Sequence, residues 1–351
     1  MTSTDATLRA PFLAAARGER PSRTPVWFMR QAGRSLPEYR AVRGEGSILD
    51  AIKQPELAAE ITMQPVRRYG VDAAVLFSDI VVPAHAIGFG VDVAPGTGPV
   101  AADPLRSRAD LDRLRPLEPD DVAYVAETVV AAVTALDPDV PLLAFAGAPF
   151  TVASYLIEGR PSRTYEHTKA LLSTDESLWH DVMDRLTDLA VAFVEVQLRH
   201  GARAFQLFDS WAGALSRPDY ERYVLPYSQR AFSELRARHP DVPGIHFGVG
   251  CDHLLEPMWA AGPQIMGLDW RTSIADARRR LGTDVAVQGN LDPALVLAGA
   301  DVATAATRSV LADNAGHPAH VFNLGHGVLP ASDPDVLAAI VELVHEATRV
   351  A

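Results

Sequence analysis

The sequence predicts a single α/β domain spanning residues 1–351, a somewhat distorted (β/α)8 barrel with a small inserted hairpin. Three observations lead there. Apolar runs of strand length alternate eight times with longer helical patterns. The runs are mostly continuous rather than alternating apolar and polar, as parallel strands buried on both faces require. No Gly-rich dinucleotide fingerprint follows the first run, which argues against an open, doubly wound sheet with a second domain. Eight strand–helix units in series then point to a barrel.

The first strand is expected at 26–29, where Val-Trp-Phe-Met follows Pro25. Strands at 73–77, 142–146, 204–208, 244–247, 265–268, 285–288 and 321–324 follow it. Helices are expected between and after them, at 55–69, 119–136, 178–200, 218–238, 253–260, 273–281, 302–313 and 334–349. Four of these start at a proline, Pro55, Pro119, Pro218 and Pro334, and proline is pre-organised for the first helical turn. The stretch 91–100 reads as a hairpin inserted after the second strand. Internal repeats, low-complexity tracts and linkers are all missing from the sequence, hence the single domain.

Composition narrows the chemistry. The chain has 351 residues, 48% hydrophobic and 22% charged, with a net charge of −12. An acidic chain lacks the basic footprint that nucleic acid requires. If its ligand is acidic, the positive field must be local. A lone cysteine, Cys251, forbids an intrachain disulfide, rules out a thiolate-rich metal site and suits a reducing cytosol. The first residues, Met-Thr-Ser-Thr-Asp-Ala-Thr, predict no signal peptide. No apolar run approaches the roughly 20 residues that span a bilayer. A cytoplasmic enzyme or binding protein, with no membrane partner, is the expectation.

The local positive field has an obvious source. Arg30 and Arg34 stand four residues apart at the end of the first strand, with Gly33 beside them and Arg40 and Arg43 just beyond. Guanidinium is a planar fork that matches a carboxylate in a bidentate way, and glycine lets backbone approach a ligand closely.

Barrel enzymes build their sites at the carboxyl ends of the strands, and polar residues gather there in this sequence. The second strand ends in Ser78-Asp79. The third leads through Gly147-Ala148-Pro149-Phe150-Thr151 to Tyr155. The fourth ends in Asp209-Ser210-Trp211, the fifth holds His246, the sixth ends at Asp269, the seventh at Gln288-Gly289-Asn290, and the eighth at Asn323-Leu324-Gly325-His326-Gly327. Each residue also has a plainer reading. Asp79 could cap a helix, Ser210 could be a turn residue, and Tyr155 could simply pack. His246 and Cys251 offer one nitrogen and one sulfur, too few for a zinc site without distant histidines.

In these residues the chain resembles the uroporphyrinogen decarboxylase family. The stretch 25–34, Pro-Val-Trp-Phe-Met-Arg-Gln-Ala-Gly-Arg, resembles that family's N-terminal signature. Phe77-Ser78-Asp79-Ile80, 147–151 with Tyr155, 208–213, 288–293 and 323–327 match the other motifs in order. The resemblance implies removal of carbon dioxide from the four acetate side chains of uroporphyrinogen III, giving coproporphyrinogen III, with no cofactor and no metal. It implies catalytic parts for Asp79, Arg30 and His326. Asp79 would accept from the pyrrole N–H groups, while Arg30 and Arg34 would hold substrate carboxylates. Gln31, Ala32 and Gly33 would add donors, with Arg43 an outer contact. Tyr155, Ser210 and His326 would touch substrate. The proton donor stays open between a charged His326 and Arg30. A homodimer with facing clefts is also implied. Zinc methyltransferases of similar fold carry a His-x-Cys motif, and His246-Phe247-Gly248 lacks that cysteine. The remaining alternatives are such a methyltransferase and a non-catalytic carboxylate- or tetrapyrrole-binding barrel.

Overall fold

The computed structural model describes residues 10–44, 46–94 and 96–350. The N-terminal stretch read above for a leader, and Pro95 of the expected hairpin 91–100, lie outside the described residues.

Among the described residues there are nine strands: β1 (Ala74–Val75), β2 (Val91–Ala94), β3 (Gly98–Ala101), β4 (Leu142–Gly147), β5 (Ala204–Asp209), β6 (Gly244–Gly248), β7 (Ile265–Gly267), β8 (Ala286–Gln288) and β9 (His320–Val321). Seven form one parallel sheet in the order β1-β4-β5-β6-β7-β8-β9. Sequential parallel neighbours joined by helices are the βα succession the sequence predicts. β2 and β3 pair antiparallel, Val91 opposite Ala101, which is the expected hairpin.

The first expected strand, 26–29, forms a single bridge rather than a ladder, Val26 to Phe322. Side chains take the place of the missing partners. The Phe28 N–H donates to Gln31 Oε1 at 2.9 Å and the Met29 N–H to Asn323 Oδ1 at 3.0 Å. The stretch still touches both edges of the sheet. Trp27 N–H donates to Phe322 O and Phe322 N–H to Pro25 O, while Asp72 N–H donates to Val26 O. It also keeps the two-residue alternation of a strand. Trp27 and Met29 enter the main core, and Val26 and Phe28 enter a second cluster with Leu337, Ile340 and Val344 of the last helix.

Helices cover the strands. Those at Pro55–Tyr69, Glu176–Arg199, Ile274–Leu281, Ala300–Asp313 and Pro334–Thr348 lie where expected, within two residues at each end. The helix expected at 218–238 is two helices, Arg217–Tyr223 and Leu225–Arg238. Pro226 explains the break, since it has no N–H to continue the ladder and its ring crowds the carbonyl of residue 222. The stretch 119–136 begins as a 3-10 turn, Pro119–Val122, before its helix, Ala123–Ala135.

Two buried polar arrangements fix the frame. Within the main core Trp27 Nε1 donates to Gln288 Oε1 at 2.9 Å, and Gln288 Nε2 donates to Gln206 Oε1 at 2.8 Å. Near the start of β1, Asp72 accepts from Arg23, from the Val26 N–H and from His345 Nε2. That one carboxylate ties the first stretch and the last helix to β1.

Candidate active site

The turn after Met29 is shaped around its arginines. Arg30 and Arg34 both adopt left-handed backbone, φ 61° and 43°, a conformation that costs non-glycine residues on the order of 1 kcal/mol or more and gathers at functional sites. Gln31 holds the turn in place. Its Nε2 donates to Ala73 O at 3.0 Å, its Oε1 accepts from Phe28, and its own N–H donates to Phe28 O. Gln31 therefore spends its polar groups inside the fold, where the sequence expected a donor to substrate. The N–H groups of Ala32 and Gly33 form no hydrogen bond among the described residues. Gly33, at φ 94°, lies against the Tyr39 ring, where an added Cβ would stand 3.3 Å away. Tyr39 in turn rests on Phe77, ring centroids 5.8 Å apart. The arginine turn is thus braced against the segment that carries Asp79.

Asp79 is half-buried. Its Oδ1 accepts the Val81 N–H at 3.0 Å, so the cap-like reading holds for one oxygen. Burial pushes its pKa up, against the Val81 N–H, Arg30, the Ile80 N–H and Arg34, which all favour the ionised form. Burial, with Arg30 adding to it, brings Arg34 down to about 10, and Tyr39 and Asp79 oppose the fall. Arg34 stays charged at neutral pH. Burial lifts Tyr155 to about 12, with Asp79 pushing the same way and Arg30 the other. These mutual effects put Asp79, Arg30, Arg34 and Tyr155 within one electrostatic neighbourhood.

His326 joins them from the end of β9. Burial first, then Arg30 and Arg34, lower its pKa to about 4. Its Nδ1 accepts the Gly327 N–H at 2.5 Å, so the ring is neutral at pH 7 with its proton on Nε2.

The opposite wall comes from β5. Thr151 Oγ1 donates to the fully buried Asp209 at 3.0 Å and accepts the Trp211 N–H at 3.2 Å. That locks the turn bearing Ser210, whose half-buried hydroxyl forms no hydrogen bond among the described residues. Trp211 packs edge-on to Tyr155, centroids 5.8 Å apart.

The Arg43 guanidinium lies over the Tyr39 ring, 5.8 Å from its centroid, and His246 Nε2 lies 3.6 Å from Asp209 Oδ2. Arg40 and Arg43 sit on the helix Pro37–Arg43 rather than in a loop, and Arg43 donates to Gly46 O at 2.8 Å. His246 is buried, with Nδ1 on Met258 O at 3.1 Å, and burial pushes the Cys251 thiol up. Among the described residues no three His, Cys, Asp or Glu side chains gather around a common point. Asn290 donates to Asp269 O and Thr272 O, a fold role. Tyr39, the brace beneath Gly33, was not foreseen; the aromatic two residues after the helix-starting Pro37 was its one signal.

A parallel α/β sheet with charged groups gathered at its carboxyl ends is the architecture of an enzyme. The chain belongs to the uroporphyrinogen decarboxylase family: the model described as Uroporphyrinogen decarboxylase (URO-D) matches residues 7–347. A uroporphyrinogen decarboxylase of Salinispora tropica is 55% identical over 97% of this chain and 91% of its own length. One of Streptomyces coelicolor is 55% identical over 98% and 96%, and one of Mycobacterium sp. (strain KMS) 53% over 96% and 97%. Among solved structures, a methyltransferase from Methanosarcina mazei superposes with a TM-score of 0.78 at 19% identity, covering 97% of this chain and 98% of the other. A B12-independent methionine synthase from Shewanella sp. W3-18-1 superposes with a TM-score of 0.55 at 11% identity, over 93% and 95%. At such identities these two share the fold alone.

Proposed function

We propose that the chain decarboxylates the four acetate side chains of uroporphyrinogen III to methyl groups, yielding coproporphyrinogen III, with no metal or cofactor. The observation that carries this is Asp79, a desolvated carboxylate flanked by Arg30 and Arg34 at the ends of parallel strands. The reading includes one domain, the 26–29 stretch closing the sheet into an eight-stranded TIM barrel, a cytoplasmic setting and a homodimer.

The reaction needs an electron sink. Protonating a pyrrole carbon makes the ring a cationic iminium. The bond from the acetate methylene to its carboxylate breaks, carbon dioxide leaves, and the electron pair neutralises the ring. The methylene carbon then takes a proton and the ring carbon loses the one it gained. Each acetate consumes one proton overall and releases one carbon dioxide. Asp79 accepts hydrogen bonds from the pyrrole N–H groups and opposes the positive charge as it develops, the kind of preorganised contact that dominates catalysis in a shielded site. Arg30 and Arg34 hold substrate carboxylates, and the Ala32 and Gly33 N–H groups add donors. Tyr155 and Ser210 contact the macrocycle. Neutral His326 donates through Nε2–H. Gln31 positions the turn and does not itself bind.

Anaerobic incubation with reduced uroporphyrinogen, followed by product analysis, tests the reading. Coproporphyrinogen formed by chelator-treated enzyme is expected. Activity lost on chelation and restored by zinc would favour the methyltransferase alternative.

A further inference from the structure

Beyond the residues assigned so far, the turn after β7 presents a third cation to the site. We propose that Arg271 is a further binding residue for a substrate carboxylate, on the far side of His326 from Arg30. The proposal rests on the decarboxylase reading above.

Its placement follows from two glycines. The loop 323–327 is wedged between two neighbours. Gly325 lies on the turn after β7, where an added Cβ would stand 2.3 Å from the Trp270 nitrogen. Gly327 lies on the stem of Arg30, where a Cβ would stand 2.5 Å from Cδ. His326 is the residue between them, its ring edge-on to Phe247 at 6.3 Å. Arg271 follows Trp270 directly, so Arg271 and Arg30 flank His326. The charges of Arg271 and Asp269 both reach the His326 ring.

Arg271 is also held ready. Its guanidinium stacks on the Trp270 ring, 3.9 Å from the centroid, and Nη1 donates to Asp269 Oδ2 at 2.6 Å. Asp269 is itself fixed, accepting the Gly250 N–H at 2.5 Å and the Arg271 N–H at 2.9 Å. Nε and Nη2 have no partner among the described residues, and the side chain is 48% exposed. A stacked, half-paired guanidinium with donors to spare is pre-organised for an anion. Arg30 and Arg34 cannot by themselves serve a macrocycle with carboxylates around its whole rim, so a cation across His326 extends the cradle.

The test compares wild type with Arg271→Ala, Arg271→Gln and Arg271→Lys, reading KM, kcat and melting temperature. Loss of a charge-assisted contact predicts a KM raised about tenfold in the Ala and Gln variants, with kcat changed much less. Lys should recover part of the affinity, lacking the fork. Gln keeps a planar group against Trp270 and guards against misfolding of the Ala variant. Unchanged KM in both Ala and Gln variants, alongside a lowered melting temperature, would overturn the proposal and leave Arg271 as a clamp for Asp269. Wild type that does not turn over uroporphyrinogen would sink the decarboxylase reading instead.

Discussion

Gly327 packs directly on Arg30: a methyl group in place of its hydrogen would stand 2.5 Å from Cδ and 2.8 Å from Cγ of the arginine. Real Cβ atoms do not approach so closely, so one side must move. Arg30 is exposed and unanchored by protein hydrogen bonds, so it is the side that yields. Gly327→Ala should therefore displace the Arg30 head and weaken substrate binding. KM should rise several-fold, and the melting temperature should hold. An unchanged KM would show that Arg30 does not need its present pose.

Asp79→Asn keeps the shape and the acceptor for Val81 but removes the charge. Loss of one preorganised electrostatic contact typically costs on the order of 10²–10³ in rate. The kcat should fall by that amount in a folded enzyme. Near-normal turnover would reduce Asp79 to its cap role.

Arg34→Lys tests the fork. The guanidinium already pays a desolvation cost, visible in its lowered pKa, and an ammonium is more strongly hydrated than a guanidinium. Substrate affinity should fall even though the charge is nominally kept. Isothermal titration with a non-turned-over polycarboxylate porphyrin measures this, and equal affinity would place Arg34 outside the site.

Strands β4 to β8 were legible because parallel strands buried on both faces read as apolar runs with polar punctuation. The 26–29 stretch reads as a strand by the same rule. It is fully buried, yet the side chains of Gln31 and Asn323 capture the Phe28 and Met29 N–H groups and leave the stretch one bridge. The helix Pro149–Glu158, which carries Tyr155, is not among the helices expected from the sequence. All ten of its residues are buried, so it has no polar face to reveal a helical period. Arg30, Arg34 and Asp79 were visible as charges at strand ends. Arg271 was not, because an arginine after a strand reads as solvated until Trp270 beneath it and His326 beside it are seen.

His326 has a pKa near 4 when folded, against about 6.5 for an unperturbed ring. The sign follows directly. Between these values the unfolded chain binds a proton that the folded chain refuses, so His326 costs stability as pH falls from about 6.5 toward 4. The buried His320, also brought to about 4, chiefly by burial, acts in the same direction. Melting temperature should drop across that window, and His326→Gln should flatten part of the drop. The same variant reports on catalysis. A ring that is neutral at pH 7 serves as a hydrogen-bond donor, and Arg30, Arg34 and Asp79 already supply the main charges. His326→Gln should then lower the rate modestly and enrich partly decarboxylated porphyrinogens, since the macrocycle must be re-seated for each acetate. Bound carboxylates would raise the pKa of the ring, the one route by which it could become an acid. If the folded variant loses all four decarboxylations, that route is in use and His326 is the proton donor.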